Sequence, residues 1–416
     1  MKVLILTPRI YEKSLKKFQK NKNGFTMMVS DIAKSLSSFD NVFVASYAFT
    51  KEERLSHSLI FVKRTVWQLL KTFSFRYLTK GLRAAVSIKA PLKLRLKYLY
   101  YTLSQPFFRS IIQQIRPDVV SIHGISYASE QFIQTCCELK IQYTVTLHGL
   151  LGLNEKLKVT THDRQAEKNF LITAEKENIP VSVISSGIKR RIVQMYGLKN
   201  GDNISVIPNG TAMRPADSEF QIDVRNAHNI GEDQFIAVCV GNITPNKNQV
   251  QVVHSYKLLP EEVRNRLTVL FLGRECDKGQ LRELIKSSGY ENSLIFCDFV
   301  SRDKIGDYYH VANINLFPSL NDGFGLPIVE AFIHGIPTVS FADLDAIEDV
   351  YHASAMRLSC ERTDKAYAEA IVSALDTVWD WSFIQQWGNR FSLQKTALNY
   401  HDFFEKGRIP CECQKA

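Results

Sequence analysis

The stretch Ile314-Asn315-Leu316-Phe317-Pro318-Ser319-Leu320-Asn321-Asp322-Gly323-Phe324-Gly325-Leu326-Pro327-Ile328-Val329-Glu330 decides how the chain is read. Its first four residues form an apolar, strand-like run. Pro318 to Gly325 carry turn chemistry, and the pattern predicts a helix over 328–334 opened by Pro327. Proline is tolerated at a helix start because its missing N–H would have no intrahelical partner there. Two glycines flank Phe324 and let the backbone approach a ligand closely. The N–H groups that begin such a helix are donors for phosphate or sugar oxygens. Asp322 on the loop and Glu330, placed on the helix's first turn, suit hydroxyl recognition at two ends of one ligand. The competing reading has Glu330 serving only the helix dipole.

The same strand-turn-helix unit recurs outward from this stretch. In the first half, strands are expected at Val3–Leu6, Val42–Ser46, Val119–Ile122, Tyr143–Leu147, Ser182–Ile184 and Ile204–Ile207. In the second, they are expected at Phe235–Val240, Thr268–Leu272, Leu294–Phe296, Ile314–Phe317 and Thr338–Phe341. Helical pattern fills the gaps, which implies α/β architecture with two doubly wound parallel sheets in tandem. The pattern pauses after Pro208-Asn209-Gly210, so a linker is placed near Thr211–Ser218. The expected domains are 1–212 and 213–391, with an aromatic helical tail from Trp379 whose part 392–416 packs back on the first domain. In such sheets ligands collect at the carboxyl ends of the strands, and two facing sheets would make an inter-domain cleft.

A second loop follows a predicted strand: Val240-Gly241-Asn242-Ile243-Thr244-Pro245-Asn246-Lys247-Asn248. Gly241 permits a tight turn, and Lys247, near the start of a helix, is suited to a phosphate. It matches neither a P-loop nor a GxGxxG turn. An ordinary strand-helix loop with a solvated lysine remains an equal reading. A third loop, after Tyr143–Leu147, carries His148, and His123 ends another strand.

Taken together, these pieces resemble the family 4 retaining glycosyltransferases of the GT-B fold, the glycosyl transferases group 1. The resemblance rests on Pro318-Ser319, on Asp322 and Glu330 around Gly-Phe-Gly-Leu-Pro, and on Gly335-Ile336-Pro337-Thr338-Val339 after the helix. It extends to Ile204–Gly210, to Val240-Gly241 with Lys247-Asn248, and to Leu272-Gly273. It implies that Glu330 holds the donor's ribose hydroxyls and Asp322 the hydroxyls of the transferred sugar. It also implies that the N–H groups of Phe324, Gly325 and Leu326, with Gly323 beside them, bind donor oxygens. Lys247 would neutralise the leaving diphosphate electrostatically, with no metal and no cofactor, and Gly241 and Asn242 would belong to the donor-binding loop around it. His148 matches the family's histidine near the reacting sugar, against an alternative as a core histidine. Gly24 matches a glycine-rich loop near donor and acceptor. Three departures are plain. Asp322 stands where a Glu is usual, Asn242 where an Arg is usual, and Lys20–Phe25 has one glycine where a pair is usual.

Composition excludes several classes. The chain has 416 residues, 45% hydrophobic and 23% charged, with eight scattered cysteines. That is a globular composition with reduced thiols, not a disulfide framework, and points to the cytosol. The apolar part of the N-terminus is too short for a signal peptide, and no window is long enough to span a bilayer. Charge is uneven: between Arg54 and Pro117 there are thirteen Lys or Arg and no Asp or Glu, within a chain of net charge +10. Aromatic and aliphatic residues are interleaved with them. An anionic membrane surface, or a lipid-linked or acidic acceptor, is one reading, and a solvated helical face is another. Nucleic acid is disfavoured because no recognition motif accompanies the charge.

The sequence therefore predicts an enzyme that moves a sugar from a UDP- or GDP-type donor to a saccharide or lipid-linked acceptor. The setting would be polysaccharide or lipopolysaccharide assembly, in the cytoplasm or peripheral at the inner membrane face. The alternative is a non-catalytic GT-B partner subunit that binds nucleotide sugar without turnover.

Overall fold

The β-branched and aliphatic runs assemble into two sheets in the computed structural model, which describes residues 1–15, 18–19, 23–50, 53–88, 90–150, 161–213 and 223–407. The first contains β1 (Lys2–Thr7), β2 (Asn41–Ser46), β3 (Glu53–Arg54), β4 (Leu59–Phe61), β5 (Val119–His123), β6 (Tyr143–Leu147), β7 (Val181–Val183) and β8 (Ile204–Val206), in the order β3-β4-β2-β1-β5-β6-β7-β8. The second contains β9 (Phe235–Val240), β10 (Leu267–Leu272), β11 (Leu294–Asp298), β12 (Ile314–Phe317), β13 (Thr338–Phe341) and β14 (Met356–Ser359), in the order β11-β10-β9-β12-β13-β14. All neighbours are parallel except β3 and β4. Parallel strands are covered on both faces, which is why β10 reads Leu-Thr-Val-Leu-Phe-Leu and is buried throughout. β3 and β4 escape sequence reading because two and three residues are too few to display a period, and β14 because Met-Arg-Leu-Ser is not a continuous apolar run.

Each sheet has one point where chain order reverses. β1 leads outward through β2 to β4, and the chain then returns to place β5 on the other side of β1. β9 leads to β10 and β11, and the chain returns to place β12 beside β9. Loops leaving two such neighbours diverge and open a crevice at their carboxyl ends.

Packing divides the chain into two compact units. One holds Met1–Ile184, Ile188–Pro208 and the C-terminal helix from Leu393, and the other holds Ser185–Gly187 and Asn209–Ser392. The division falls at Pro208 rather than residue 212 because Thr211 is tied into the second unit, its N–H donating to the Phe391 carbonyl at 3.0 Å. Residues 214–218 of the expected linker, Lys20 to Lys22 of the N-terminal loop, Lys89, Cys411 and Cys413 lie outside the described residues, and the other six cysteines are free thiols.

The aromatic tail is two helices, Trp381–Asn389 and Leu393–Lys406, not one. The first packs so closely on the helix Leu326–Ile333 that a Cβ on Gly388 would sit 2.6 Å from the Ile333 nitrogen. The second lies on the helix Gly24–Leu36, with Ser35 Oγ donating to the Leu393 carbonyl at 3.1 Å and His401 Nδ1 2.9 Å from Asp40 Oδ2.

Candidate functional site

β9 and β12 are the neighbours where the second sheet reverses, and the loops that leave them are the two singled out above. They are stitched into one body by asparagines. The Asn246 carbonyl accepts from Leu320 N–H at 2.8 Å and from Ser319 Oγ at 3.2 Å. Asn246 Nδ2 donates to the Asn321 carbonyl at 2.7 Å, and Asn248 Nδ2 to the Pro318 carbonyl at 3.3 Å. A neighbouring strand end closes in as well. A Cβ on Gly273 would meet the Gly241 carbonyl oxygen at 2.0 Å, so only glycine fits after β10.

Lys247 N–H donates to the Thr244 carbonyl at 3.0 Å, a turn that leaves the side chain beside Gly241 and its ammonium 5.0 Å from the Phe317 ring centroid. That ammonium forms an ion pair with Asp322 Oδ2. Asp322 Oδ1 accepts from Gly325 N–H at 2.7 Å and Phe324 N–H at 3.1 Å, closing the turn that contains Gly323. Burial pushes the Asp322 carboxyl up, but the Lys247 charge and the hydrogen bonds from Lys247, Gly325 and Phe324 prevail and hold it below the ordinary aspartate range. The sequence reading aimed the Phe324 and Gly325 N–H groups at a ligand, whereas here they hold Asp322.

Gly325 caps the helix Leu326–Ile333 in the left-handed region (φ 73°, ψ 53°), where an added Cβ would also lie 2.8 Å from Ile328 Cδ1. Because the helix begins at Leu326, two residues earlier than expected, Glu330 sits beyond its first turn. The helix dipole acts mainly on the first turn, so the dipole reading of Glu330 loses its basis. Instead Glu330 Oε1 lies 3.5 Å from Thr211 Oγ1, which Arg302 Nη2 also reaches at 3.5 Å.

In the first unit, His123 ends β5, beside β1 at the reversal, and His148 directly follows β6. Their rings stack with centroids 5.2 Å apart, and His123 Nδ1 meets His148 Nε2 at 2.9 Å. His123 Nε2 meets Ser121 Oγ at 3.2 Å, while His148 Nδ1 is buried with no hydrogen-bond partner among the described residues. Burial, then the neighbouring His148, holds His123 well below the usual imidazole range, and burial brings His148 down to about 4. Both rings are therefore neutral at pH 7, and one donates to the other. Phe25 packs edge-on to His148, its ring centroid 5.2 Å away. Gly24 is the first residue of its helix rather than part of a loop before it, Asn23 being the cap, and the space around its Cα is open.

Two family models divide the chain between them. Residues 73–213 match "Glycosyltransferase Family 4" and residues 220–378 match "Glycosyl transferases group 1". The chain belongs to the group 1 glycosyltransferases. Its GT-B fold is shared with a crystallised Rickettsia africae glycosyltransferase (TM-score 0.68, 14% identity, 98% of this chain and 99% of that one). It is shared equally with Anabaena HepE, crystallised with UDP (TM-score 0.67, 16% identity, 98% and 100%). Among curated relatives, the O-antigen chain mannosyltransferase B of Escherichia coli is 27% identical over 35% of this chain and 38% of its own length. The alpha-monoglucosyldiacylglycerol synthase of Acholeplasma laidlawii is 24% identical over 55% and 59%. The chain thus spans from about two-fifths to three-fifths of these two relatives' lengths.

The structure adds residues to which the sequence assigned no role. Asn246 and Asn248 join the two loops, and buried Gln249 bridges the Gly241 and Asn242 carbonyls at 3.2 Å each. The signal was present in Asn246-Lys247-Asn248-Gln249, but side-chain amides declare a partner only once the chain is folded. Asn242 is exposed, and its side chain adds no charge beside Lys247.

Proposed function

We propose that this chain transfers a sugar from a nucleoside diphosphate sugar to a saccharide or lipid-linked acceptor with retention of configuration, in the assembly of a cell-surface polysaccharide. The observation that carries this reading is the gathering of Lys247, Asp322 and the Gly325-capped helix start, with Glu330 on the same helix, at the reversal of the second sheet. An incoming diphosphate competes with Asp322 for the Lys247 ammonium and for the Phe324 and Gly325 N–H groups. Asp322 is ionised and, once displaced, is free to accept from sugar hydroxyls. Glu330 accepts from the ribose. Lys247 stabilises charge on the departing phosphate, which takes the acceptor's proton, so no separate protein base is required. The two relatives, an O-antigen chain mannosyltransferase and an alpha-monoglucosyldiacylglycerol synthase, suggest a saccharide chain and a lipid as the acceptor classes to try first.

The deciding measurement is calorimetric titration with UDP-glucose and GDP-mannose. Glu330→Ala should lower affinity for the bound donor by roughly 100-fold or more, since two hydrogen bonds to a charged group are lost, with little change in the thermal midpoint of the free protein. Undiminished binding by the variant would remove Glu330 from the site. Asn242, in the place of an arginine, favours a second reading, a partner subunit that binds donor without turnover. Slow donor hydrolysis without acceptor, abolished in Lys247→Ala, separates the enzyme from that partner.

A further inference from the structure

The basic segment is also an exposed apolar segment, a fact that composition could not reveal. Half of the exposed large hydrophobic side chains among the described residues fall between 66 and 96. All but Phe73, which lies between the first two, sit on three helices, Val66–Lys71, Phe75–Ser87 and Leu92–Leu103. The middle helix has two different faces. Tyr77, Gly81 and Ala85 are buried, and a Cβ on Gly81 would lie 2.7 Å from Leu99 Cδ1, so this side is pressed against the next helix. Phe75, Leu82 and Val86, at helical spacing on another face, are 76%, 47% and 71% exposed. Trp67 is 75% exposed, and the Phe73 and Phe75 rings meet edge-on at 5.4 Å, linking the first helix's end to the second helix's start.

The charges sort themselves in the same way. Arg64 is fully buried among aromatic rings and donates to Ser104 Oγ at 2.7 Å, while Lys80 and Arg109 turn to Glu138. Arg64 is thus no surface cation, and Lys80 and Arg109, though partly exposed, are already drawn to a carboxylate of their own unit. Lys71, Arg76, Arg83 and Lys93 remain exposed alongside the apolar side chains, and no acidic residue lies anywhere in 54–117.

We infer that this face docks on an anionic lipid bilayer surface, with Trp67, Phe75, Leu82 and Val86 entering the headgroup–acyl boundary and the four cations pairing with lipid phosphates. A protein partner would leave the apolar stripe covered equally well, but the one-sided charge calls for a surface that is uniformly negative and accepts apolar groups beneath it. The inference is independent of which sugar is transferred. No helix among the described residues is long and apolar enough to cross a membrane, so the contact is with one leaflet.

The full chain is tested by cosedimentation with vesicles of roughly one part phosphatidylglycerol to two parts phosphatidylcholine, and with phosphatidylcholine alone, at about 0.1 M salt. Binding to the first and not the second is expected. Lys71→Glu, Arg76→Glu and Arg83→Glu together should weaken it on the order of 100-fold, at roughly fivefold for each cation removed. Phe75→Ser, Leu82→Ser and Val86→Ser should also release the protein while leaving charge unchanged. All six positions are exposed, and an unaltered thermal midpoint establishes that each triple variant is folded. Equal binding to neutral vesicles, no binding to either, or full binding by either variant would overturn the inference. So would self-association relieved by the serine variant in the absence of lipid binding, since that would make the occupant a second copy of the chain.

Discussion

The reversal point of the second sheet and that of the first solve opposite electrostatic problems. At the second, Lys247 and Asp322 are both charged, held together and further fixed by two backbone N–H groups. At the first, His123 and His148 are both neutral, because burial denies them a proton. Paired charges that can be pulled apart suit a ligand that brings its own charge, such as a diphosphate. A desolvated neutral pair with one unpartnered nitrogen suits an uncharged polar ligand, since a buried cation there would lack its counterion. The same fold element, a crevice between diverging loops, is thus given two different electrostatic characters by side chains alone.

Removing the cation should break the contrast most severely. Lys247→Ala should lower kcat/KM for glycosyl transfer by about 100- to 1000-fold, the range for losing one group that stabilises developing charge. His148→Asn, which preserves neutrality, should cost less. If steady-state kinetics ranked the two the other way, the charged pair would not be the leaving-group site.

A pH comparison sharpens the same point. His148 takes up its proton near 6.5 when unfolded and near 4 when folded, so its contribution to stability is complete above pH 6.5 and drains away as pH falls toward 4. Asp322 is held below its ordinary 3.8, so its contribution is complete above that value and is lost only at more acid pH. Between pH 7 and pH 5 His123 and His148 therefore press the thermal midpoint down, as does His334, which burial also brings down to about 4, while Glu130, which burial pushes up to about 7, acts the other way and the ion pair contributes nothing. His123→Gln with His148→Gln should make the midpoint at pH 5 higher relative to that at pH 7 than in the parent chain, and Asp322→Asn should leave that difference unchanged. A variant pattern in the opposite sense would show that the imidazoles are not neutral.

The smallest expected effect is a gain. Asn242→Arg places a second cation on the exposed loop beside Lys247, where there is room for it, and should raise affinity for the donor's diphosphate severalfold through a charge-assisted hydrogen bond. Unchanged affinity in titration calorimetry would mean that residue 242 does not reach the phosphates.

Much of this was legible in advance for a local reason. The strands Tyr143–Leu147, Phe235–Val240, Ile314–Phe317 and Thr338–Phe341 stand where their apolar runs predict them, because a strand buried on both faces must be continuously apolar. The candidate loops were legible because glycine and proline declare backbone geometry one residue at a time. The break between the tail's two helices is not legible in the sequence, because aromatic residues continue through Phe391 and nothing local reports that the Phe391 carbonyl is to meet Thr211 from far along the chain. Arg64 reads as one more surface cation, yet it is enclosed by rings from Tyr47, Phe49, Tyr100, Phe107 and Phe108.

By itself, then, the sequence determined the alternation of strand and helix, the family, and the position of the loops that leave β9 and β12. These follow from periodicity and from residues with restricted backbone preferences, which act at short range. Tertiary structure decided what those side chains do to one another: that Asp322 captures Lys247 and the Phe324 and Gly325 N–H groups, that His123 and His148 share a hydrogen bond, and that Phe75 and Trp67 face outward while Arg64 faces in. Charge pairing and burial depend on distances between residues remote in sequence, and those distances exist only after the chain has folded.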